Sequence, residues 1–158
     1  LDTKIVFQEV PDEISLAINI TGCPCNCEGC HSPYLAEDMG EILSEKALSG
    51  LIEQNPGITC VCFMGGDAFK QEIIELFRLV KQSHGLKTCW YSGRDMDYGY
   101  EGLKYLDFIK VGPYIKEKGP LDSPTTNQRF CKVNYGPTYD TIGLEDITEI
   151  FTKRQKYD

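Results

Sequence analysis

Three cysteines that lie close together in the sequence, Cys23, Cys27 and Cys30, have the type and spacing of metal ligands. They follow the pattern C-x3-C-x2-C. Cysteine thiolates hold iron–sulfur clusters, and close spacing lets one loop surround a single cluster. Three thiolates on a four-iron cluster leave one iron without a protein ligand, and an open position of this kind distinguishes catalytic from structural metal sites. The pattern therefore predicts a [4Fe–4S] cluster that can receive a substrate.

Other kinds of site fit parts of the same loop. A zinc site could combine these cysteines with Cys25, but structural zinc usually takes two ligand pairs that are well separated in sequence, and no second pair is present. A redox dithiol could use Cys27 and Cys30, although no thioredoxin-like helix pattern follows them directly. An electron-carrying ferredoxin would have a fourth cysteine followed by proline at a suitable distance from the other three, and this sequence has none in such a position. We interpret Cys25 as a bystander that faces away from the cluster.

Composition narrows the classes of function. The chain has 158 residues, of which 41% are hydrophobic and 25% charged, which is typical of a single globular domain spanning 1–158. Its net charge of −8 argues against nucleic-acid binding, because such proteins usually carry a basic face. No apolar stretch is long enough to cross a membrane, and no export signal opens the sequence. We expect a cytoplasmic protein with reduced thiols.

Strand and helix patterns alternate along the chain. Short apolar runs predict strands, and a 3.6-residue apolar period predicts helices. The predicted strands are Ile5–Val10, Ile14–Thr21, Ile58–Met64, Lys87–Tyr91, Asp107–Val111 and Arg129–Asn134. The predicted helices are Ser44–Gln54, Phe69–Ser83, Leu103–Leu106 and Leu144–Lys153.

This alternation predicts an α/β fold with mostly parallel strands, and we expect a small partial (β/α) TIM-type barrel. In such folds the chemistry occurs at the carboxyl ends of the strands. The cysteine loop and three other glycine-containing loops occupy those positions, which suggests a single site. The three other loops are Gly65-Gly66-Asp67, Ser92-Gly93-Arg94 and Gly112-Pro113-Tyr114.

Taken together, these motifs resemble the radical S-adenosylmethionine (SAM) superfamily. The cysteine triplet and the Gly-Gly-acidic motif are similar to those of the superfamily in general. Further pieces resemble the activating proteins of anaerobic, class III ribonucleoside-triphosphate reductases, and the likeness runs from about Ile14 to Val133. These pieces are Gly29-Cys30-His31-Ser32-Pro33, Phe63-Met64-Gly65-Gly66-Asp67-Ala68, Trp90-Tyr91-Ser92-Gly93-Arg94, Val111-Gly112-Pro113-Tyr114 and Thr126-Asn127-Gln128-Arg129.

The resemblance implies a reaction and its partners. SAM would bind the open iron through its amino and carboxylate groups, and one electron would break a carbon–sulfur bond to give methionine and a 5′-deoxyadenosyl radical. That radical would remove a hydrogen atom from a glycine of the anaerobic ribonucleoside-triphosphate reductase. A low-potential donor such as flavodoxin would supply the electron. The cofactors implied are thus the [4Fe–4S] cluster and SAM.

The resemblance also implies roles for single residues. Gly29, Cys30 and His31 would contact the adenosyl part of SAM. The backbone carbonyls of Gly65 and Gly66 would receive its methionine amino group, and close backbone approach requires residues without side chains. Asp67 would shape this turn, and Lys110 would reach the SAM carboxylate. Arg94 and Arg129 are candidates for contacts to the SAM carboxylate or ribose or to the reductase. Asn127 and Gln128 would hydrogen-bond the extended glycine-bearing backbone of the protein substrate.

Two alternatives stay open from the sequence. One is a radical SAM enzyme that acts on a small metabolite, in the manner of a deazapurine synthase. The other is an iron–sulfur electron carrier, although a carrier has no need of Gly65-Gly66-Asp67. The remaining cysteines lie on predicted strands, and we interpret them as small buried hydrophobes rather than as ligands of a second cluster. They are Cys60, Cys62, Cys89 and Cys131.

Overall fold

The computed structural model describes residues 2–22, 28, 42–136 and 142–154. The strands are β1 (Asp2–Val6), β2 (Ser15–Asn19), β3 (Cys60–Met64), β4 (Lys87–Tyr91), β5 (Phe108–Val111), β6 (Arg129–Tyr135) and β7 (Ile142–Asp146). The helices are α1 (Glu45–Gln54), α2 (Lys70–Ser83), α3 (Met96–Gly99) and α4 (Glu149–Arg154), with 3-10 turns at Asp67–Phe69 and Tyr100–Tyr105. Over these residues, none of the helices has the length and apolar character needed to cross a membrane.

The seven strands form one open mixed sheet, and the expected partial barrel is wrong. Neighbouring strands follow chain order from β1 to β7, so β1 and β7 are the two edges. Only β2, β3, β4 and β5 are parallel to one another. The remaining strands β1, β6 and β7 pair antiparallel to their neighbours. The sheet is therefore parallel at its centre and antiparallel at both ends.

The connection after β5 explains why the β/α alternation stops. A parallel strand needs a crossover of a dozen or more residues, which is usually a helix. Residues 112–128 form turns and one isolated bridge between Ile115 and Gly119 instead of a helix. The chain therefore returns as an antiparallel β6, which pairs Val111 with Arg129. No further β/α unit is added after this point in the described residues, and the sheet stays open.

The helices that connect the parallel strands lie on one face of the sheet. Right-handed crossovers that advance in one direction place their helices on the same side. Ser44 caps α1 by accepting a hydrogen bond from the Ala47 amide over 3.1 Å. On α2, Ile73 and Phe77 are buried against the sheet, where Phe77 contacts the rings of Phe63 and Trp90. This core holds the strands in position from one side.

A smaller core covers the opposite face. It contains three buried cysteines of the central strands together with Val10, Phe108, Phe130 and Phe151. Phe151 belongs to α4, and its ring centroid lies 4.8 Å from that of Phe130. The C-terminal helix therefore closes the second face by aromatic packing.

The predicted helix over Leu144–Lys153 is wrong in its first half. Residues Ile142–Asp146 form β7, which pairs with β6 along its whole length. The Asp146 carboxylate accepts a hydrogen bond from the Thr148 amide over 3.0 Å, which ends the strand in a turn. Helix α4 begins only after this turn. The N-terminal hairpin also differs, because β1 spans Asp2–Val6 rather than Ile5–Val10.

Candidate functional site

The loops that carry the predicted site meet at one edge of the sheet. Because β2, β3, β4 and β5 are parallel, their carboxyl ends lie side by side. The antiparallel strand β6 begins at this edge, since Arg129 pairs with Val111 at the end of β5. The edge therefore combines the start of the cysteine loop, three glycine-containing loops and the segment Thr126–Gln128. We call it the carboxyl edge.

The predicted cluster ligands Cys23, Cys27 and Cys30 lie outside the described residues, as do Cys25, Gly29 and His31. The structure does describe the residues that lead into this loop. The Ile20 amide donates to the Met64 carbonyl over 2.9 Å, so the chain still follows β3 at this point. Gly22 has a φ of 77°, and a Cβ built on it would lie 3.3 Å from the ring of Phe69. The cysteine loop thus starts beside the residues that follow β3.

Gly65 and Gly66 fill positions that no other residue can occupy without strain. Their φ values are 98° and 87°, a backbone region that residues with side chains rarely adopt. A Cβ on Gly65 would lie 2.8 Å from the Ile20 carbonyl oxygen, and one on Gly66 would lie 2.4 Å from the Ile73 side chain. The Gly-Gly turn is therefore in close contact with the backbone that leads into the cysteine loop.

Hydrogen bonds hold this turn in place. The Gly65 amide donates to the Tyr91 carbonyl over 3.0 Å, and the Gly65 carbonyl accepts from the Trp90 indole nitrogen over 2.8 Å. The Gly66 carbonyl accepts from the Phe69 amide over 3.0 Å. A carbonyl oxygen has two lone pairs, so each of these groups has the capacity for a second donor.

Asp67 links the loop after β3 to the loop after β4. Its side chain is 2% exposed. One carboxylate oxygen accepts a hydrogen bond from the Ser92 hydroxyl, and the other accepts from the Gly93 amide over 3.1 Å. The Ser92 hydroxyl oxygen also accepts from the Arg94 amide over 3.0 Å. The carboxylate thus fixes two neighbouring loops of the carboxyl edge relative to each other.

Lys110 brings a positive charge to the same edge. It lies on β5 and is partly buried. Its ammonium group donates to the carbonyl oxygens of Ser92 and Gly112, over 3.2 Å and 3.0 Å. The charge is therefore held at the ends of β4 and β5 rather than directed away from the edge.

The segment before β6 supplies two carboxamides. The side chains of Asn127 and Gln128 both donate to the Pro113 carbonyl, over 3.1 Å and 3.5 Å. Arg129 points elsewhere, since its guanidinium lies 3.8 Å from the exposed carboxylate of Asp146. Arg94 accepts a hydrogen bond from the Gly112 amide through its carbonyl, over 2.7 Å. Both amides are therefore bonded to the loop that follows β5.

Sequence reasoning did not assign roles to Trp90, Ser92 or Phe69. The signal for Trp90 was available, because a buried indole N–H usually needs an acceptor and a strand end next to a glycine turn offers one. Phe69 is 44% exposed and lies beside Gly22, and spacing alone does not reveal this proximity between residues that follow two neighbouring strands.

The four cysteines outside the motif are buried free thiols. Cys62 and Cys89 lie opposite each other in the register of β3 and β4. Burial raises the pKa of the Cys60 thiol far above its ordinary value, with a further rise from Cys62, and burial also raises the pKa of Cys89. Among the described residues, no three His, Cys, Asp or Glu side chains are arranged to hold a metal ion. Cys60, Cys62 and Cys89 are part of the smaller core, whereas Cys131 packs in the core on the opposite face of the sheet.

The residues present fit an iron–sulfur cluster. The candidate donor set consists of three cysteines within one short loop, which matches the soft thiolate ligands that iron–sulfur clusters take. Gly22, Gly65 and Gly66 lie beside the start of this loop. A Cβ built on any of them would lie 3.3 Å or less from an atom of a neighbouring residue. The glycines therefore let the backbone pack closely where the cysteine loop begins.

Comparison with known proteins gives one match. No curated protein and no solved structure matches the chain. A family model described as "4Fe-4S single cluster domain" matches residues 14–134, which run from the residue before β2 into β6 and make up more than three quarters of the chain. Domains of this kind are found in radical SAM-type iron–sulfur proteins. The chain therefore belongs to the 4Fe-4S single cluster domain family.

Proposed function

We propose that this chain is a radical SAM activase, which cleaves SAM reductively and generates a glycyl radical on the anaerobic ribonucleoside-triphosphate reductase. The observation that carries the proposal is the contact between Gly65-Gly66 and the backbone entering the cysteine loop, where a Cβ on Gly65 would lie 2.8 Å from the Ile20 carbonyl oxygen. An electron carrier would have no use for a Gly-Gly turn held this closely against the entry to the cysteine loop, with carbonyl oxygens that can each accept a further hydrogen bond. An enzyme that binds a nucleotide there would.

Cys23, Cys27 and Cys30 would hold the [4Fe–4S] cluster. When bound, the cluster supplies the electron that breaks a carbon–sulfur bond of the SAM sulfonium, and a low-potential donor such as flavodoxin replaces that electron. The protein's own part is to bind and orient SAM and to exclude water. Gly29 and His31, which flank Cys30, would contact the adenosyl group.

The described residues suit the methionine end of SAM. Its amino group would donate to the carbonyl oxygens of Gly65 and Gly66, each of which accepts one hydrogen bond from the protein and can accept a second. Its carboxylate would be attracted by the Lys110 ammonium at the same edge. Asp67 would act indirectly, by holding the Gly-Gly turn against the Ser92-Gly93 loop.

A direct test uses cluster-loaded protein under anaerobic conditions, with SAM, a strong reductant and the purified reductase. Electron paramagnetic resonance should detect a glycyl radical doublet on the reductase, and chromatography with mass spectrometry should detect 5′-deoxyadenosine. Cys27→Ala should abolish cluster binding and both signals. Cys25→Ala is the matched control, because it removes a thiol from the same loop and should keep them.

The outcomes separate the competing functions. A loaded cluster that forms 5′-deoxyadenosine but no glycyl radical would reject the activase and favour a metabolite-directed enzyme. A loaded cluster that forms neither product would favour an electron carrier. Loss of the cluster in Cys25→Ala but not in Cys27→Ala would overturn the assignment of ligands.

A further inference from the structure

The hydrogen bond from the Trp90 indole to the Gly65 carbonyl joins the core of the sheet to the candidate site. Trp90 is 0% exposed, and a buried indole N–H needs an acceptor. The acceptor lies 2.8 Å away, on a glycine that is itself partly exposed at the carboxyl edge. A group that cannot touch a ligand therefore holds one that can.

The backbone alone does not fix the direction of this carbonyl. It belongs to the peptide group between Gly65 and Gly66, whose φ values are 98° and 87°. Glycine has little intrinsic preference among backbone conformations, so a peptide plane between two glycines rotates at low cost. A hydrogen-bond donor on one side of the oxygen selects a single orientation, and the Trp90 indole is placed as that donor.

The indole is itself held firmly. Its ring centroid lies 5.4 Å from that of Phe77 on α2, and the register of β3 and β4 places Trp90 opposite Phe63. A donor whose rotamer is locked by packing loses no further freedom when it orients its acceptor. The indole occupies one of the two lone pairs of the Gly65 oxygen, which leaves the other for a donor of the ligand.

We infer that Trp90 is a positioning residue, whose indole N–H holds the Gly65 carbonyl in the orientation that accepts a hydrogen bond from the amino group of SAM. The inference rests on the proposed function, which places that amino group at the Gly-Gly turn. Because Trp90 is fully buried, it acts through Gly65 and does not contact SAM. It therefore favours ligands that carry the amino group over ligands that lack it.

The test measures the binding of two ligands to cluster-loaded protein by anaerobic equilibrium dialysis. One is S-adenosylhomocysteine, which has no sulfonium to be cleaved. The other is S-adenosyl-4-thiobutyrate, the same molecule with hydrogen in place of the amino group. Trp90→Phe keeps an aromatic ring but loses the N–H. It should raise the Kd for S-adenosylhomocysteine about 5- to 10-fold and change the Kd for the desamino analogue by less than about twofold.

Two further proteins separate the lost donor from altered packing. Trp90 is the single tryptophan of the chain, so biosynthetic incorporation of benzothienylalanine replaces this residue alone. That side chain has the shape of tryptophan with sulfur in place of the N–H, and it should give the same ligand pattern as Trp90→Phe. Phe77→Leu is the matched control, because it loosens the packing around the indole but leaves its N–H. It should lower the free energy of unfolding and leave the ratio of the two Kd values as in wild type.

The remaining outcomes contradict the inference. Affinity lost equally for both ligands, or for neither, in the benzothienylalanine protein would overturn it, and so would a selective loss for S-adenosylhomocysteine in Phe77→Leu. A loaded wild-type protein that binds neither ligand and leaves SAM intact would instead overturn the proposed function, and the inference would fall with it. The wild-type measurement therefore tells the two failures apart.

Discussion

Replacing Gly65 by alanine tests whether the Gly-Gly turn and the entry to the cysteine loop are in the close contact described above. A φ of 98° strains any residue with a side chain, at a cost of about 1–3 kcal/mol. The new Cβ would also lie 2.8 Å from the Ile20 carbonyl oxygen, which belongs to the backbone and cannot rotate away. Overpacking of this kind adds about 1–3 kcal/mol.

Gly57 provides a matched control for the strain alone. Its φ of 91° is similar to that of Gly65, yet a Cβ built on it would meet no atom within 4 Å. Gly57→Ala should therefore carry the conformational cost without the steric one. The free energy of unfolding of Gly65→Ala should be lower than that of Gly57→Ala by about 1–3 kcal/mol.

Anaerobic urea unfolding of the cluster-loaded proteins measures this difference. For a small protein it corresponds to a gap of roughly 1 M between the two midpoints. Gly65→Ala should also lose SAM cleavage, because the added methyl group separates the turn from Ile20, whereas Gly57→Ala should keep it. Equal midpoints for the two variants would refute the close approach, whatever their activities.

Three further predictions concern groups around this turn. Asp67→Ala should lower the free energy of unfolding by about 2–4 kcal/mol, because it leaves the Ser92 hydroxyl and the Gly93 amide without their acceptor. Asp97→Ala, at an exposed position, should change it by less than about 0.5 kcal/mol. Similar values for the two variants in chemical unfolding would contradict the linking role of Asp67. Cys60 and Cys89, whose pKa values are raised by burial, should resist iodoacetamide at pH 8 in the folded protein and react once the protein is unfolded in urea. The free energy of unfolding should fall as the pH rises above 9, because these thiols then ionise only in the unfolded chain. Rapid labelling of the native protein would argue against their burial. Trp90 is the single tryptophan and donates to the Gly65 carbonyl, so SAM should change its fluorescence, and an emission that stays constant at saturating SAM would mean that SAM binds away from the turn.

The parallel centre of the sheet was predictable from the sequence. Strand β4 has the predicted bounds, Lys87–Tyr91, and β3 lies within the predicted Ile58–Met64. Strand β3 is a short apolar run buried on both faces, β4 has a buried centre, and a glycine follows each strand within two residues, which is a strong local signal. Helix α2 was also recognisable, because its apolar residues recur on one face.

The ends of the sheet were not predictable in the same way. Local patterns do not reveal whether the next strand pairs parallel or antiparallel. After Val111 the next strand, β6, pairs antiparallel, and the sheet is therefore open where a barrel was expected. Glu145 and Asp146 lie within the predicted helix Leu144–Lys153. In the structure they belong to the edge strand β7, and charged side chains are as common on edge strands as on exposed helix faces.

Part of the candidate site could likewise be predicted from the sequence, and part could not. Glycine after each parallel strand indicated loops at a shared edge, since strand polarity alone brings such loops together. The bonds from Trp90 to Gly65 and from Ser92 to Asp67 join residues 25 positions apart, and they depend on the exact register of β3 and β4. The register of these two strands cannot be predicted from a single sequence.

The most direct test of the central claim is the cleavage of SAM by the cluster-loaded protein alone. Under anaerobic conditions with a strong reductant, the account predicts 5′-deoxyadenosine and methionine in equal amounts, with neither formed by Cys27→Ala. A fully loaded wild-type cluster that leaves SAM intact would contradict it.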